Sequence, residues 1–342
     1  MRSLKLSTGA VILLAACAMF AVAQLDAHAR INNDSRVKTV SKKDPAPPPT
    51  LKISLNPVVG PPTTAVAISG TKFGRTEAVD VYFDSTDLLL AVTNSSGSFS
   101  QSLDVPTSAQ PGTHWVTAVG RVSGLAAQAS FLVQTNWSMF HYNLQHSGYN
   151  PFENTLNPGN VAGLNQAWAA PTGSVIYSSP AVANGVVYVA SEDDKLYAFN
   201  AGTGVLLSGW PVSTGASILS SPAVANGVVY VGSDDDKLYA FNAVTGVLLS
   251  GWPVSTGSSI RSSRAVANGV VYVGSYDDKL YAFNAVTGAV LSGWPVSTLE
   301  LISSSPAVAN GVVYVGSYDG KLYAFNAVTG ARLSGWPVST GN

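Results

Sequence analysis

Short stretches of alternating apolar and polar residues, separated by turn residues, run along most of the chain. Between residues 51 and 134, seven such stretches predict β-strands with one buried and one exposed face. The stretches are Leu51–Leu55, Ala65–Ser69, Val79–Phe83, Leu90–Thr93, Ser98–Leu103, Trp115–Val119 and Ala129–Val133. Turn signals rich in Gly, Pro and Asn separate them. Seven short strands with this spacing predict an immunoglobulin-like β-sandwich.

Beyond this segment the pattern becomes periodic, which predicts a repeat array over residues 164–342. Five tryptophans recur at an interval of 42 residues: Trp168, Trp210, Trp252, Trp294 and Trp336. Asn-Gly pairs keep the same interval and begin at Asn184, Asn226, Asn268 and Asn310. A period near 40 residues with four predicted strands per unit is typical of a β-propeller. The fold class predicted for the whole chain is therefore all-β, a sandwich followed by four propeller-type repeats.

The second repeat unit shows why four strands are expected. Residues 221–225 predict an inner strand, and Asn226-Gly227 predicts a type I′ hairpin, because both positions favour positive φ. Residues 228–233 and 237–242 are rich in β-branched and aromatic residues and predict the next two strands. A last strand is expected at Trp252. Because one four-stranded sheet cannot bury both of its faces, the units are expected to stack around an axis.

Two motifs carry a family resemblance. Residues 220–233 (SSPAVANGVVYVGS) and 237–246 (KLYAFNAVTG) resemble the PQQ-like repeat of quinoprotein-type propellers. The resemblance covers about residues 136–342. It implies a propeller, and the family includes quinone-dependent dehydrogenases as well as non-enzymatic members, among them the propeller lipoprotein of the outer-membrane barrel-assembly machinery.

The number of repeats departs from the family pattern, in which about seven or eight blades are usual. Four repeats leave three arrangements open: a small ring of four or five blades, a ring completed by a second chain, and an open arc. The sequence stops where another unit would begin, so a truncated chain is a further alternative. An open arc would leave unpaired strand edges.

The sandwich segment also resembles a known class, the bacterial Ig-like and IPT-type modules. The residues that carry this resemblance are 69–74 (SGTKFG), 78–81 (AVDV) and 111–114 (PGTH). Such modules mostly act as spacers or adhesive units, and no site residue transfers with them.

The N-terminus predicts export. Arg2 and Lys5 precede an apolar run that ends at Ala23, so residues 1–23 are interpreted as a signal peptide cleaved after Ala23. The alternative is a lipobox at Leu14–Cys17, which would lipidate Cys17 and anchor the protein. Residues 24–50 predict a Pro-rich linker, and residues 135–163 an aromatic connector. The predicted location is periplasmic or extracellular, including the cell surface.

Composition excludes some classes of function. The formal net charge is −1, with 11% charged residues, so no basic footprint for nucleic acid is expected. Cys17 is the only cysteine, so a chain cleaved after Ala23 has neither a disulfide nor a cysteine-based metal site.

Several residue clusters have a functional and a structural interpretation, and the structural one is favoured for each. The acidic turns at 192–194, 234–236, 276–278 and 318–320 are predicted to be hairpin turns rather than calcium sites. The repeated tryptophans are predicted to lock neighbouring blades rather than bind a ligand. His141 and His146 are predicted to pack in the connector rather than hold a metal.

The function predicted from these patterns is that of a non-enzymatic binding or scaffold protein for a protein or a glycan. The repeats contain no His or Cys, and nothing matches the catalytic Asp and calcium ligands that quinone-dependent dehydrogenases share. No catalytic, cofactor-binding or metal-binding residue is therefore assigned, and neither PQQ nor calcium is expected. A degenerate dehydrogenase and an envelope-assembly lipoprotein are the alternatives. Self-association to complete a ring is left open. The role of Arg261 and Arg264 is also open, because the two arginines are explained equally well as a contact with a partner and as drift between repeats.

Overall fold

The computed structural model describes residues 50–340, and these residues are almost entirely β structure. The predicted signal peptide, Cys17 and nearly all of the predicted linker lie outside the described residues. One 3₁₀ turn, Val161–Gly163, is the helical element of this part of the chain. Within residues 50–340, no helix has the length and apolar character needed to cross a bilayer. The all-β prediction is confirmed.

Eight strands form the first part of the described chain. They are β1 (Lys52–Asn56), β2 (Val59–Gly60), β3 (Ala65–Thr71), β4 (Ala78–Phe83), β5 (Thr86–Val92), β6 (Phe99–Asp104), β7 (Gly112–Gly120) and β8 (Ala126–Val133). One sheet has the order β1-β3-β6, and the other has the order β2-β8-β7-β4-β5. Each predicted strand has a counterpart here. β2 is additional, because two residues are too short to show an alternating pattern.

The two sheets share one apolar core, which explains the alternation in the sequence. In β3 every second side chain is buried, and Val66 and Ile68 have no exposed surface. Val79 and Val81 of β4 and Phe131 of β8 meet them from the other sheet. Residues 51–134 thus form a two-sheet sandwich, and their assignment to the Ig-like modules stays a prediction.

Four sheets of four strands follow, and each is one repeat. Blade 1 contains β9 (Ala181–Ala183), β10 (Val186–Ala190), β11 (Lys195–Asn200) and β12 (Val212–Ser213). Blade 2 contains β13 (Ala223–Ala225), β14 (Val228–Gly232), β15 (Lys237–Asn242) and β16 (Val254–Ser255). Blade 3 contains β17 (Ala265–Ala267), β18 (Val270–Gly274), β19 (Lys279–Asn284) and β20 (Val296–Ser297). Blade 4 contains β21 (Ala307–Ala309), β22 (Val312–Ser317), β23 (Lys321–Asn326) and β24 (Val338–Ser339).

The turns within each blade have the predicted backbone conformation. Asn226 and Gly227 have φ values of 49° and 75°, as a type I′ hairpin requires. Asp236, at the next turn, has φ 68°, a value that Asp tolerates better than most residues. The same signs recur at the corresponding positions of the other three blades.

Tryptophans lie between consecutive blades. The Trp252 ring packs against Tyr230 of blade 2 at 5.6 Å and against Phe283 of blade 3 at 6.4 Å between ring centroids. Trp210 and Trp294 have the same neighbours in their own junctions. Three of the five repeated tryptophans therefore lie between two blades as the locking role requires, although each precedes the outer strand instead of belonging to it.

The connector runs along the innermost strands of the blades. Trp137 exchanges two backbone hydrogen bonds of 2.7 Å with Val182 in β9. The backbone N–H of Val224 in β13 donates to the carbonyl of Ser138, and that of Val308 in β21 donates to Leu144. The inner edges of blades 1, 2 and 4 are thereby paired with a segment that belongs to no blade.

Candidate functional site

The four repeats are nearly identical, so the places where they differ stand out. At one position of the 42-residue unit all four copies carry a different residue, and every other position repeats at least one residue. The four residues at this position are Tyr177, Leu219, Arg261 and Ser303. They differ in size, polarity and charge. Repeat arrays bind their ligands on extended surfaces made by equivalent positions of successive repeats, so this position is a candidate for ligand contact.

The structure brings these four side chains together. They line one open depression of about 460 Å³, together with Glu192, on the side of the blades where the inner strands begin. The position lies four residues before the start of each inner strand, next to an isoleucine that is fully buried in blades 2 to 4. Because the buried isoleucine fixes the backbone, the adjacent side chain is held at the surface of the depression.

Arg261 is the cationic group of the depression, and it is held in place from two sides. Its Nε and Nη2 donate to the two carboxylate oxygens of Asp234 at 3.0 and 2.9 Å. The guanidinium also lies 5.2 Å from the ring centroid of Tyr276. The hydrogen bond to Asp234 and the charge of that carboxylate raise the pKa of Arg261 above its usual value. A fixed planar donor in a depression that also contains the exposed ring of Tyr177 suits a ligand that offers hydrogen-bond acceptors and a flat apolar face.

The aspartates of the acidic turns are already engaged. In each blade a tyrosine hydroxyl donates to the central aspartate of the turn, in the pairs Tyr197–Asp193, Tyr239–Asp235, Tyr281–Asp277 and Tyr323–Asp319. In blade 2 the Asp235 carboxylate also accepts from the backbone N–H of Gly215 at 3.0 Å. These bonds tie the turn to its own strand and to the segment that enters the blade. The aspartates therefore have a structural role in holding the hairpin turns, in agreement with the prediction that these segments are turns.

The two connector histidines pack on an aromatic ring. His141 stacks on Phe140 with ring centroids 4.0 Å apart, and His146 meets the same ring edge-on at 5.7 Å. Burial, and then the neighbouring His141, lower the pKa of His146. This arrangement agrees with the packing interpretation of the connector.

Arg264 and Arg261, which the sequence singled out together, have different environments. Arg264 is buried in the junction between blades 2 and 3, where its Nη1 donates to the Tyr230 carbonyl at 2.8 Å. It does not line the depression. Arg261 does, and sequence analysis identified it only through its charge.

None of the sequence motifs described above connects Tyr177, Leu219 and Ser303 with a site. A comparison of the repeats position by position contains the signal, because these residues occupy the one position where all copies diverge. That the position lies at a shared depression follows only from the way the blades are stacked.

A family model and several solved structures match the chain. The PQQ_2 model, described as "Outer membrane protein assembly factor BamB", matches residues 158–249 and 250–337, which is more than half of the chain. A comparison with curated proteins gave no match.

The similar solved structures are propellers of low sequence identity. A quinohemoprotein alcohol dehydrogenase from Pseudomonas putida HK5 is 21% identical over 60% of this chain and 40% of its own, with a TM-score of 0.52. The corresponding enzyme from Comamonas testosteroni is 18% identical over 60% and 41%, with a TM-score of 0.52. BamB from Moraxella catarrhalis is 16% identical over 80% and 67%, with a TM-score of 0.44. The chain spans less than half the length of the two dehydrogenases, and their likeness shows the propeller fold alone.

Proposed function

We propose, because the chain belongs to the PQQ_2 family described as the outer membrane protein assembly factor BamB, that it is an exported, non-enzymatic binding protein. Its ligand is a polypeptide of the cell envelope. The observation that carries this proposal is the depression in which the single fully divergent position of the repeats is displayed by all four blades.

The chemistry of the depression supports a polypeptide ligand. Leu219 and the exposed ring of Tyr177 offer apolar contacts, and Arg261 offers donors to backbone carbonyls. Aromatic and arginine side chains are the residues that most often dominate protein interfaces. Burial of Ile218, Ile260 and Ile302 beside this position fixes the backbone of blades 2 to 4, which limits the entropy lost on binding.

A binding measurement with the full chain tests the proposal. The probe is a fluorescently labelled outer-membrane β-barrel polypeptide, unfolded in urea and diluted into buffer, and anisotropy reports its binding. The test variant combines Tyr177→Ser, Leu219→Ser and Arg261→Ser, so each position takes the residue that blade 4 already has there. We expect affinity for the probe to fall at least about tenfold, because hot-spot side chains are removed.

The matched control substitutes the same number of residues, three, at another position of the repeat. Val244, Val286 and Val328 are 76–77% exposed in the hairpins at the other end of the blades, and the control variant replaces all three by Ser. Its affinity is expected to stay within about twofold of the parent, since exposed side chains outside an interface contribute little. Equal affinity of the test variant and the parent contradicts the proposal. If the chain binds a glycan but not the polypeptide, and this binding depends on Tyr177, Leu219 and Arg261, the ligand is a glycan and the polypeptide proposal is wrong.

The dehydrogenase alternative has its own readout. Titration of the full chain with the quinone and calcium, followed by dye-linked alcohol oxidation, is expected to give no turnover, because the turn aspartates are held by tyrosine hydroxyls. Quinone-dependent turnover overturns the non-enzymatic proposal.

Export and anchoring are the remaining parts of the proposal. If Cys17 is lipidated, globomycin blocks processing of the chain and Cys17→Ala abolishes it. If the signal peptide is cleaved after Ala23, Cys17→Ala leaves processing intact.

A further inference from the structure

The three internal junctions between blades are built alike. In each, a tyrosine hydroxyl of one blade donates to an alanine carbonyl of the next, in the pairs Tyr188–Ala243, Tyr230–Ala285 and Tyr272–Ala327, at 2.9 to 3.0 Å. An isoleucine of the later blade also packs on a small residue of the earlier one. The Ile260 side chain fills the space over Gly232, and Ile302 fills the space over Gly274. We call the donating side of a blade its leading face and the accepting side its trailing face.

The leading face of blade 4 is uncovered within the described residues. Tyr314, Leu322 and Trp336 are half-buried, whereas their counterparts in blades 1 to 3 are buried. A Cβ atom on Gly316 would meet only Ser304 within 4 Å, so no isoleucine fills the space over this glycine. Blade 4 therefore has the same tyrosine, glycine, leucine and tryptophan as the leading faces of blades 2 and 3, and within the described residues no blade covers them.

The trailing face of blade 1 is the complementary case. Ile176 is 45% exposed, whereas the isoleucines at the same position in blades 2 to 4 have no exposed surface. Val187 and Val189 are half-buried, and their counterparts in the later blades are buried. An exposed isoleucine thus lies at one end of the array and an empty glycine site at the other.

We propose that the leading face of blade 4 binds the trailing face of blade 1 of a second copy of this chain. Within one copy the tyrosine–alanine contact already occurs three times and the isoleucine–glycine contact twice, so the proposed interface repeats contacts that the chain makes internally. Ile176 of the partner subunit fills the space over Gly316, and the Tyr314 hydroxyl donates to the carbonyl of the partner's Ala201. Such a contact is head-to-tail and closes into a ring when the rotations add to a full turn.

One tryptophan has to leave the new junction. Trp336 packs on Tyr314 at 5.7 Å, and Trp168 packs on Phe199 at 6.3 Å, so each copy brings one indole to the same slot. Trp336 precedes β24, which pairs with β23 along the backbone, whereas residues around Trp168 form no strand. We therefore assign the slot to Trp336 and expect the partner's Trp168 to withdraw.

Sedimentation velocity and light scattering of the full chain over a range of concentrations test this inference. The parent is expected to show a species of about twice the chain mass or a larger closed multiple. Ile176→Asp places a charge at the exposed isoleucine position of the trailing face and is expected to shift the midpoint of association at least about tenfold to higher concentration. Trp168→Ala removes the residue that withdraws and is expected to shift the midpoint to lower concentration.

Val244→Asp is the matched control, because it places the same charge on a residue that is even more exposed and lies outside both faces. It is expected to associate like the parent, and unchanged circular dichroism of Ile176→Asp shows that the blade still folds. The inference is overturned if the parent is a monomer at every soluble concentration. It is also overturned if the parent and Ile176→Asp associate equally strongly. Neither result bears on ligand binding at the depression, which the anisotropy measurement tests separately.

Discussion

Arg264 places a guanidinium where the other three repeats have proline. It is 2% exposed, donates to the carbonyls of Tyr230 and Ser262, and leaves its Nε without an acceptor. Burial lowers the pKa of Arg264 to about 9. A buried charge that is bonded only to carbonyls is costly, because the lost hydration is not recovered from an opposite charge.

Replacing this residue tests that cost. Arg264→Pro restores the residue of the other repeats and is expected to raise the free energy of unfolding by about 1–3 kcal/mol, since the buried charge is removed. Urea unfolding at neutral pH measures the change. The control is Arg261→Ser in the same blade, which removes an exposed, ion-paired arginine and is expected to change stability by less than about 1 kcal/mol. An Arg264→Pro protein less stable than its parent contradicts this account.

The tyrosines that bind the turn aspartates predict an alkaline transition. Burial, and then the hydrogen bond to Asp319, raise the pKa of Tyr323 to about 12. The pKa of a tyrosine in the unfolded chain is about 10, so the folded chain holds this proton more tightly. The resulting stability is complete below pH 10 and is lost as pH rises through 12.

Thermal unfolding between pH 8 and pH 12, with tyrosinate absorbance as a second signal, checks this expectation. The loss of stability above pH 10 is expected to be smaller in Tyr323→Phe, which has no phenol to ionise at this site. If Tyr323→Phe and the parent lose the same stability above pH 10, the hydrogen bond between Tyr323 and Asp319 does not contribute to the alkaline transition.

At the scale of elements, two glycines at the same strand position separate covered from uncovered blade faces. Gly274 ends β18 in an internal junction, where a Cβ would overlap Ile302, and Gly316 lies in β22 on the open leading face. Gly274→Ala is expected to lower the free energy of unfolding by about 1–3 kcal/mol, because the junction is overpacked. Gly316→Ala is expected to be neutral or slightly stabilising, since the space is free and alanine costs less backbone entropy than glycine.

Urea unfolding of the two variants at a concentration where the chain is monomeric gives the comparison. Each variant is the control of the other, because the chemical change and the local strand are the same. Equal destabilisation by both would mean that the leading face of blade 4 is covered in solution even in the monomer.

At the scale of the whole molecule, head-to-tail association links stability to concentration. A partner that binds only the folded chain raises the apparent stability by mass action. The melting temperature of the parent is therefore expected to rise as the protein concentration increases, and that of Ile176→Asp to begin its rise only at a concentration at least about tenfold higher. Differential scanning calorimetry at several concentrations measures both. A parent whose melting temperature does not depend on concentration argues against a folded multimer.

Local patterns in the sequence determined the strands, the hairpins and the repeat. Asn226-Gly227 predicts its turn because positive φ is a property of those two residues, and alternation in β3 predicts its buried face because side chains alternate along any strand. The stacking of blades followed from the same logic, since four identical sheets have only each other to bury their faces. The family resemblance then supported the propeller, and the family match confirmed it.

The tertiary structure decided what depends on contacts between distant residues. The backbone bond from Val308 to Leu144 joins the connector to blade 4 across more than 160 residues, and no local pattern encodes it. Tyr177 and Ser303 meet at one depression because the angle between stacked sheets brings equivalent positions together. The exposure of Ile176 at one end and of the Gly316 site at the other was equally hidden, because identical repeats look alike in sequence and differ only in whether a neighbouring blade covers them.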